Sequence, residues 1–444
     1  MGEWLAGFAA AEITPPLGLD MTGYAGRPGP GDQVWDPLWV RALALAYGEG
    51  APLVLACIDL LGIDRGAVAR IRGLLADAVP AERLLLNCSH THSGPTTAPL
   101  RCMGRVDTGY LEGVVRRTAA AARAAVAGLQ PARLSFGAAA TAIGVNRRER
   151  RDGRIVLGVN EAGAYDPLVR VLRVETAAGR PLACWFSHAT HPVVMGSTNT
   201  GFSAEWPGAA ADALAAAFGA PAVFAQGCCG DVNPRRRGDH SVAVSVGREL
   251  AGAALVALER AEPVEGRAAG GAIETLSLPL RRPSPGEALA AQEEARERLA
   301  AAEIEVGEQR EAHAARYRLE HARGLAAWAA DYAAAARGVG PESVEMDVQA
   351  LRVGDLAITA TGAETFVEIG LEILRRSPYP RAAALGYTNG CFGYLPAAKA
   401  FPDGGYEIEG AFRFYGTLMI TPDAEARTLD AAERVLERLD GGAA

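Results

Sequence analysis

The chain has almost no lysine: Lys399 stands alone among 44 basic residues in a total of 444. With abundant Ala, Gly and Arg, that bias reads as the signature of a GC-rich bacterial genome. No clustered Lys/Arg field stands out and the formal net charge is −8, which argues against a nucleic-acid partner. No two cysteines stand in CxxC spacing, so a structural zinc site of four cysteines is not expected. The seven cysteines (Cys57, Cys88, Cys102, Cys184, Cys228, Cys229 and Cys391) are odd in number. Several sit in apolar, strand-like runs, and together they read as free, mostly buried thiols of a reducing cytoplasm. The N-terminus, Met1-Gly2-Glu3-Trp4, has no basic stretch before its short apolar run, which argues against a signal peptide. No uninterrupted apolar stretch reaches bilayer-spanning length. The expectation is a cytoplasmic protein.

What is present is an ordinary globular composition, 49% hydrophobic and 22% charged, with ample material for a core. Strand-like and helix-like segments alternate. Strands are expected at 39–47, 53–58, 84–88, 168–174, 183–187 and 222–225. Helices are expected at 65–78, 111–127, 207–218 and 242–259. Further strands at 131–140, 155–159 and 272–280 lack intervening helices. The fold class is therefore α/β, with mixed β-sheets flanked by helices rather than a simple parallel-wound plan. Residues 284–338 are Ala-, Glu- and Arg-rich and helical in period, with a break near Gly307. They read as a helical hairpin insertion on the surface, with a lid over a pocket as the sharper reading, and His313 and His321 on it as solvated. Strands resume at 348–353 and 356–361, followed by a helix at 365–375. Residues 386–415, rich in Gly, Pro and aromatics, form a long ordered loop of the functional kind.

Five segments can carry chemistry. In Ser89-His90-Thr91-His92-Ser93-Gly94-Pro95, directly after a buried strand, residues two apart share a face, so His90 and His92 can share one site. Trp185-Phe186-Ser187-His188-Ala189-Thr190-His191-Pro192 also closes an apolar strand, and strand ends are where α/β sheets hold ligands. Three histidines, or two and a carboxylate, would complete a catalytic zinc site with one open position. His188 reads as a supporting residue or a turn cap. Gly227-Cys228-Cys229-Gly230-Asp231-Val232-Asn233-Pro234 is a turn in which Asp231 could accept a histidine N–H. In Gly362-Ala363-Glu364-Thr365-Phe366 a carboxylate sits between a strand and a helix, where the helix dipole alone would explain it. Tyr394, in Gly393-Tyr394-Leu395-Pro396, and Tyr406 lie in the Gly-rich loop, where tyrosines usually pack. Lys399 falls between them, within reach of a substrate.

These motifs, in this order, together with Ala11-Glu12-Ile13-Thr14-Pro15-Pro16 and Met21-Thr22-Gly23-Tyr24-Ala25, resemble the catalytic domain of the neutral/alkaline, non-lysosomal ceramidase family, from about residue 8 to about 420. The resemblance implies a zinc-dependent amidase built as one catalytic domain over 1–444, with the helical hairpin inserted. It implies His90, His191, Glu364 and Tyr394 as zinc ligands and His92 and Tyr406 as catalytic residues. Arg147, in an Asn146-Arg147 segment like the family's, Asn233 and Tyr24 would line the substrate pocket. Two departures are visible. Asn233 stands where the family's ceramidases carry a Ser implicated in catalysis, and Asn can hydrogen-bond an oxyanion but is neither base nor nucleophile. The family's additional immunoglobulin-like domain and secretion signal are not recognisable.

The expected reaction is cleavage of an N-acyl amide, on a small or lipid-like substrate, by water activated on Zn2+. His92 would move the proton, and Arg147 would hold a polar or anionic substrate group. A metal-dependent esterase or lactonase is the alternative from the same chemistry, and an inactive zinc-containing binding protein the alternative from another class. No membrane span is expected, and the oligomeric state is left open.

Overall fold

The computed structural model describes residues 2–308 and 313–441. Its largest sheet runs in the order Ala222–Gln226, Pro181–His188, Leu168–Thr176, Gln130–Ala140, Trp4–Glu12, Trp39–Tyr47, Leu53–Ile58, Leu84–Cys88. The pairings at its two ends, Pro181–His188 with Ala222–Gln226 and Leu53–Ile58 with Leu84–Cys88, are parallel; those between are antiparallel. A second sheet takes Ala269–Pro279, Ser343–Val353, Leu356–Thr361 and Arg381–Leu385, its last pair parallel. The mixed α/β fold is as the sequence implies.

Period-two patterning explains the layers. Along Trp39–Tyr47, Val40, Ala42 and Ala44 point to one core while Leu43 and Leu45 point to another, as alternation in a strand buried on both faces requires. The first core is closed by the helices Arg65–Leu75 and Thr108–Ala127. The second lies between the two sheets, where Leu43, Leu45, Leu53 and Leu55 meet Leu351, Val353, Leu356 and Ile358. The second sheet's other face carries Met346, Val348 and Ala350 against the helices Val367–Arg376 and Ala424–Gly441. The order is helix, sheet, sheet, helix.

The hairpin helices are Pro285–Glu308 and His313–Ala336; Gly307, near which a break was expected, is itself helical. The hairpin is tied down rather than loose. Trp328 stacks on Tyr332 and meets Phe412, and the Tyr317 hydroxyl donates to Asp20. A groove of about 760 Å³ runs between the hairpin and the segment Cys102–Met103–Gly104–Arg105.

Most expected elements recur within a few residues. Among those that did not stand out in the sequence are the strands Trp4–Glu12, Gly144–Arg151 and Arg381–Leu385 and the helix Ala424–Gly441. The helix His240–Glu259 is long and apolar enough to cross a membrane, alone in this among the described residues. This holds by length and composition alone, and Arg248-Glu249 interrupts its apolar run. Its buried side, Val246, Leu250 and Ala254, packs in a core with Trp206 and Leu214.

Candidate metal centre

Six strand ends converge on one place. Leu84–Cys88 delivers His90 and His92, Pro181–His188 delivers His191, Ala222–Gln226 delivers Cys229, and Leu53–Ile58 delivers Leu61. From the second sheet, Leu356–Thr361 delivers Glu364 and Arg381–Leu385 delivers Tyr387. This is the carboxyl-end rule for ligand sites in α/β sheets. Asn87 locks three of these ends together: Nδ2 donates to Gln226 O and Gly386 O, and Oδ1 accepts from Gln226 N at 2.7 Å.

Each histidine ring is aimed by the main chain. Nδ1 of His90 lies 2.8 Å from Leu61 O, Nδ1 of His92 3.0 Å from Gly23 O, and Nδ1 of His191 2.6 Å from Cys229 O. A carbonyl oxygen can only accept, so each Nδ1 carries the proton and each Nε2 is left with a bare lone pair. His90 has a φ of 64° and Tyr387, whose ring lies 4.1 Å from that of His90, a φ of 52°. Left-handed backbone at a histidine and a bulky tyrosine is strain of about 1–3 kcal/mol per residue, of the kind that concentrates at functional sites.

The three lone pairs meet. Nε2 of His90 and Nε2 of His92 are 3.3 Å apart, and the ligand atoms of His90, His92 and His191 all lie within 4.8 Å of one another. Oε2 of Glu364 completes the group, 3.0 Å from His191 Nε2 and 3.3 Å from His90 Nε2. These are acceptors facing acceptors with no hydrogen between them. That is unfavourable in a buried place unless a cation sits among them. Zinc–nitrogen bonds of 2.0–2.1 Å in a tetrahedron put ligand atoms about 3.3 Å apart, so the donor set fits a small divalent cation. The electrostatics agree. Burial, with the neighbouring His90 and His191, drives the His92 pKa well below its ordinary value; burial and Arg147 bring His191 to about 4. Burial alone would raise Glu364; positive charge on His90 and His191 outweighs it and holds the carboxyl well below the usual range, so it is positive charge at this centre that keeps Glu364 ionised, a part a bound cation would take while both rings stay neutral.

Glu364 and Tyr394 are partners in register, in a two-stranded parallel ribbon of Glu364–Thr365 with Tyr394–Leu395. Arg147 lies behind Tyr394, its Nη2 donating to the phenol at 2.9 Å, its Nη1 to Asn233 Oδ1 at 3.4 Å and its Nε to Glu407 Oε1 at 2.8 Å. Arg148 donates to the other oxygen of Glu407 at 2.6 Å. Arg147 is set in place by its own backbone, because its N–H donates to Asp231 O. Burial holds the Tyr394 phenol well above its ordinary pKa, with Arg147 pulling the other way. The Tyr406 ring stands edge-on to Tyr394 at 5.9 Å. The Tyr24 ring stands edge-on to His92 at 5.2 Å, with its hydroxyl on Met195 O. All nine residues named from the sequence, His90, His92, His191, Glu364, Tyr394, Tyr406, Arg147, Asn233 and Tyr24, thus fall in one contiguous cluster.

Three smaller expectations are corrected, for Asp231, Lys399 and His321, while His188 is the supporting residue expected. Asp231 accepts no histidine N–H; main-chain carbonyls do that work. Its carboxylate instead takes Asn146 Nδ2 at 2.8 Å and Val367 N at 2.9 Å, joining the turn to the helix after Glu364, with its pKa raised by burial to about 6. His188 bonds Tyr165, Thr190 and Leu168 O away from the cluster, so its part is to hold the strand end. Lys399 is an exposed ion-pair partner of Glu368 at 2.8 Å. His321 is partly buried and stacks on Phe414 rather than standing in solvent; the side chain of His313 lies outside the described residues.

Sequence reasoning missed Tyr387, Tyr415 and Glu407. The Tyr415 hydroxyl donates to Glu364 Oε1, and the Tyr387 hydroxyl lies 3.5 Å from Oε2. Glu407 is fully buried between two arginines. Its only sequence signal was a carboxylate beside Tyr406 inside an aromatic, Gly-rich loop.

No protein-family model and no curated protein sequence matches the chain. Solved structures do. The neutral ceramidase of Pseudomonas aeruginosa matches with a TM-score of 0.73 at 18% identity, over 98% of this chain and 75% of that one. The fold is that of neutral ceramidase. A ceramidase complexed with C2 matches with a TM-score of 0.75 at 17% identity, over 99% of this chain and 75% of that one. The ceramidase fold therefore accounts for almost the whole chain, including the segments that converge on the histidines.

Proposed function

We propose that the chain is a zinc-dependent amidohydrolase acting on an N-acyl compound. One observation carries this reading: three histidine lone pairs and a carboxylate oxygen meet with no donor among them. The ceramidase fold supports it, since a ceramidase is named for an N-acyl amide, and so does the resemblance of the motifs. In this reading His90, His191, Glu364 and Tyr394 hold the metal. When bound, zinc would polarise the scissile carbonyl and supply hydroxide at neutral pH.

The protein's own groups do the rest. His92, fixed through Nδ1 by Gly23 O, offers Nε2 to take a proton and return it to the leaving amine. Arg147 favours the anionic form of Tyr394, which its neighbour's burial alone opposes. Asn233 turns Oδ1 toward Arg147, so its Nδ2 hydrogens remain to meet charge on the substrate oxygen, as an oxyanion donor does. Tyr406 and Tyr24 flank the reacting groups on either side. An Asn in this place donates but cannot exchange protons, so His92 is the sole proton carrier in this scheme.

The test is metal analysis of the purified protein followed by a panel of N-acyl amides and matched esters. Stoichiometric zinc with amide hydrolysis is expected. Ester turnover alone would make the protein an esterase or lactonase, zinc without turnover would make it a binding protein, and absence of metal uptake would overturn the site.

A further inference from the structure

The two oxygens of Glu364 are treated differently. Oε2 faces the histidines, 3.0 Å from His191 Nε2 and 3.3 Å from His90 Nε2, with only a long contact of 3.5 Å from the Tyr387 hydroxyl. Oε1 faces away and receives the Tyr415 hydroxyl. The Tyr415 ring is itself wedged: a Cβ at Gly393 would press on it at 3.3–3.4 Å, and the Gly393 φ of 134° is one that L side chains rarely adopt. Gly393 N–Cα–C also sits next to the ribbon, and its carbonyl accepts from Glu364 N at 2.8 Å. The segment that fixes the Glu364 backbone therefore also fixes the tyrosine that holds its side chain. On its outer side Tyr415 lines a cavity of about 570 Å³ with Cys391, Phe392 and Met346, so the ring is a partition between that cavity and the carboxylate.

A carboxylate with both oxygens free can grip a cation with one oxygen or two. Gripping with two fills a position that a hydrolytic site needs open for water. A hydroxyl proton placed on one oxygen biases that choice, because it engages one of that oxygen's lone pairs, draws charge from it and fixes the plane of the carboxylate.

We propose that Tyr415 is a positioning residue that keeps Glu364 to one-oxygen coordination, leaving the position beside Oε2 open for the reacting water. The inference rests on the metal reading given above. It concerns how the carboxylate binds, and it can fail while that reading stands.

Tyr415→Phe removes only the hydroxyl and keeps the ring in its slot. The probe is Co2+ in place of zinc, because its visible bands report the number and kind of ligand atoms around it. The expected result is stoichiometric Co2+ uptake by both proteins, a changed visible spectrum in the variant as a second carboxylate oxygen takes the water's position, and a kcat at least 10-fold lower with KM within about twofold. In a Glu364→Gln background only one end of the side chain can ligate, so adding Tyr415→Phe should change the spectrum little. A crystal structure of the zinc-loaded wild type gives an independent reading that needs no variant to fold: Oε2 on the metal and Oε1 on Tyr415 is expected. Both oxygens on the metal in the wild type, or identical cobalt spectra with and without the hydroxyl, would overturn the proposal. A wild type that takes up no Co2+ or Zn2+ would overturn the metal reading instead.

Discussion

Arg147 reaches the Tyr394 hydroxyl with one nitrogen, at 2.9 Å, while another is gripped by Glu407 at 2.8 Å. The guanidinium is thus anchored on one edge and presented on the other. Burial works against its charge, but Tyr394, Glu407 and Glu364 together outweigh that and hold its pKa well above normal. Arg147→Met is expected to lower stability by about 3 kcal/mol, because Glu407 is left buried with Arg148 alone. Activity should fall about 100-fold or more through misplacement of Tyr394. Denaturant unfolding and steady-state kinetics measure the two losses separately.

Gly23 is required by contact as well as by conformation. Its φ is 94°, and a Cβ there would come within 2.6 Å of His92 Nδ1. Gly23→Ala must push the His92 ring off its carbonyl partner. The expected outcome is a large fall in kcat, about 100-fold, with a melting temperature only a few degrees lower. A variant with unchanged kcat would show that His92 moves no proton.

On the metal reading proposed above, chelation should be felt by the fold. The proposed ligands His90, His191, Glu364 and Tyr394 come from four separate chain segments, and a cation among them would bind the folded state alone. Chelation followed by a thermal scan is expected to show a lower melting temperature, restored by added Zn2+. The stabilisation is about 4 kcal/mol when free zinc is a thousandfold above its Kd.

Asn233 is expected to act on the transition state. Asn233→Ala should reduce kcat by about 100-fold with KM nearly unchanged, the pattern of a lost oxyanion donor. Asn233→Ser tests the residue that the resembling family uses: retained activity there would show that a hydroxyl can replace the amide.

Glu205 sets a pH dependence of stability away from the histidines. It is buried at the start of the helix Glu205–Phe218, with a φ of 58° and its carboxylate on Met195 N and Trp206 N. Burial raises its pKa from 4.5 to about 8. Between those values the unfolded chain has released the proton and the folded one still holds it, so stability falls as pH rises and the loss is complete above about pH 8. The slope integrates to about 5 kcal/mol as an upper bound. Glu205→Gln should flatten it, as read from urea unfolding at pH 5, 6.5 and 8.

The ends of strands were legible in the sequence because burial on both faces leaves long apolar runs, such as Leu53–Ile58 and Leu84–Cys88, with a polar residue directly after. The histidines were legible because they stand at those ends; Glu364 was named only through the family resemblance, since a carboxylate before a helix is explained by the dipole alone. Tyr387 and Tyr415 were not, since a tyrosine in a Gly-rich loop has the same local sequence whether it packs or donates to a carboxylate. Glu407 was hidden by its setting, a single π-helical turn, Tyr406–Gly410, that sinks an acidic residue into the protein. Asp231 was misread because sequence shows carboxylates and hides carbonyls, and it is carbonyls that orient the rings.

That last point reaches beyond this chain. The acceptors for His90, His92 and His191 belong to the main chain of Leu61, Gly23 and Cys229. Any residue supplies a carbonyl, so apart from the glycine, whose bare Cα is needed, these positions can change identity without disturbing the rings. A centre oriented this way is inherited as a path of backbone rather than as a string of letters. It can stay fixed in space while the sequence around it is rewritten.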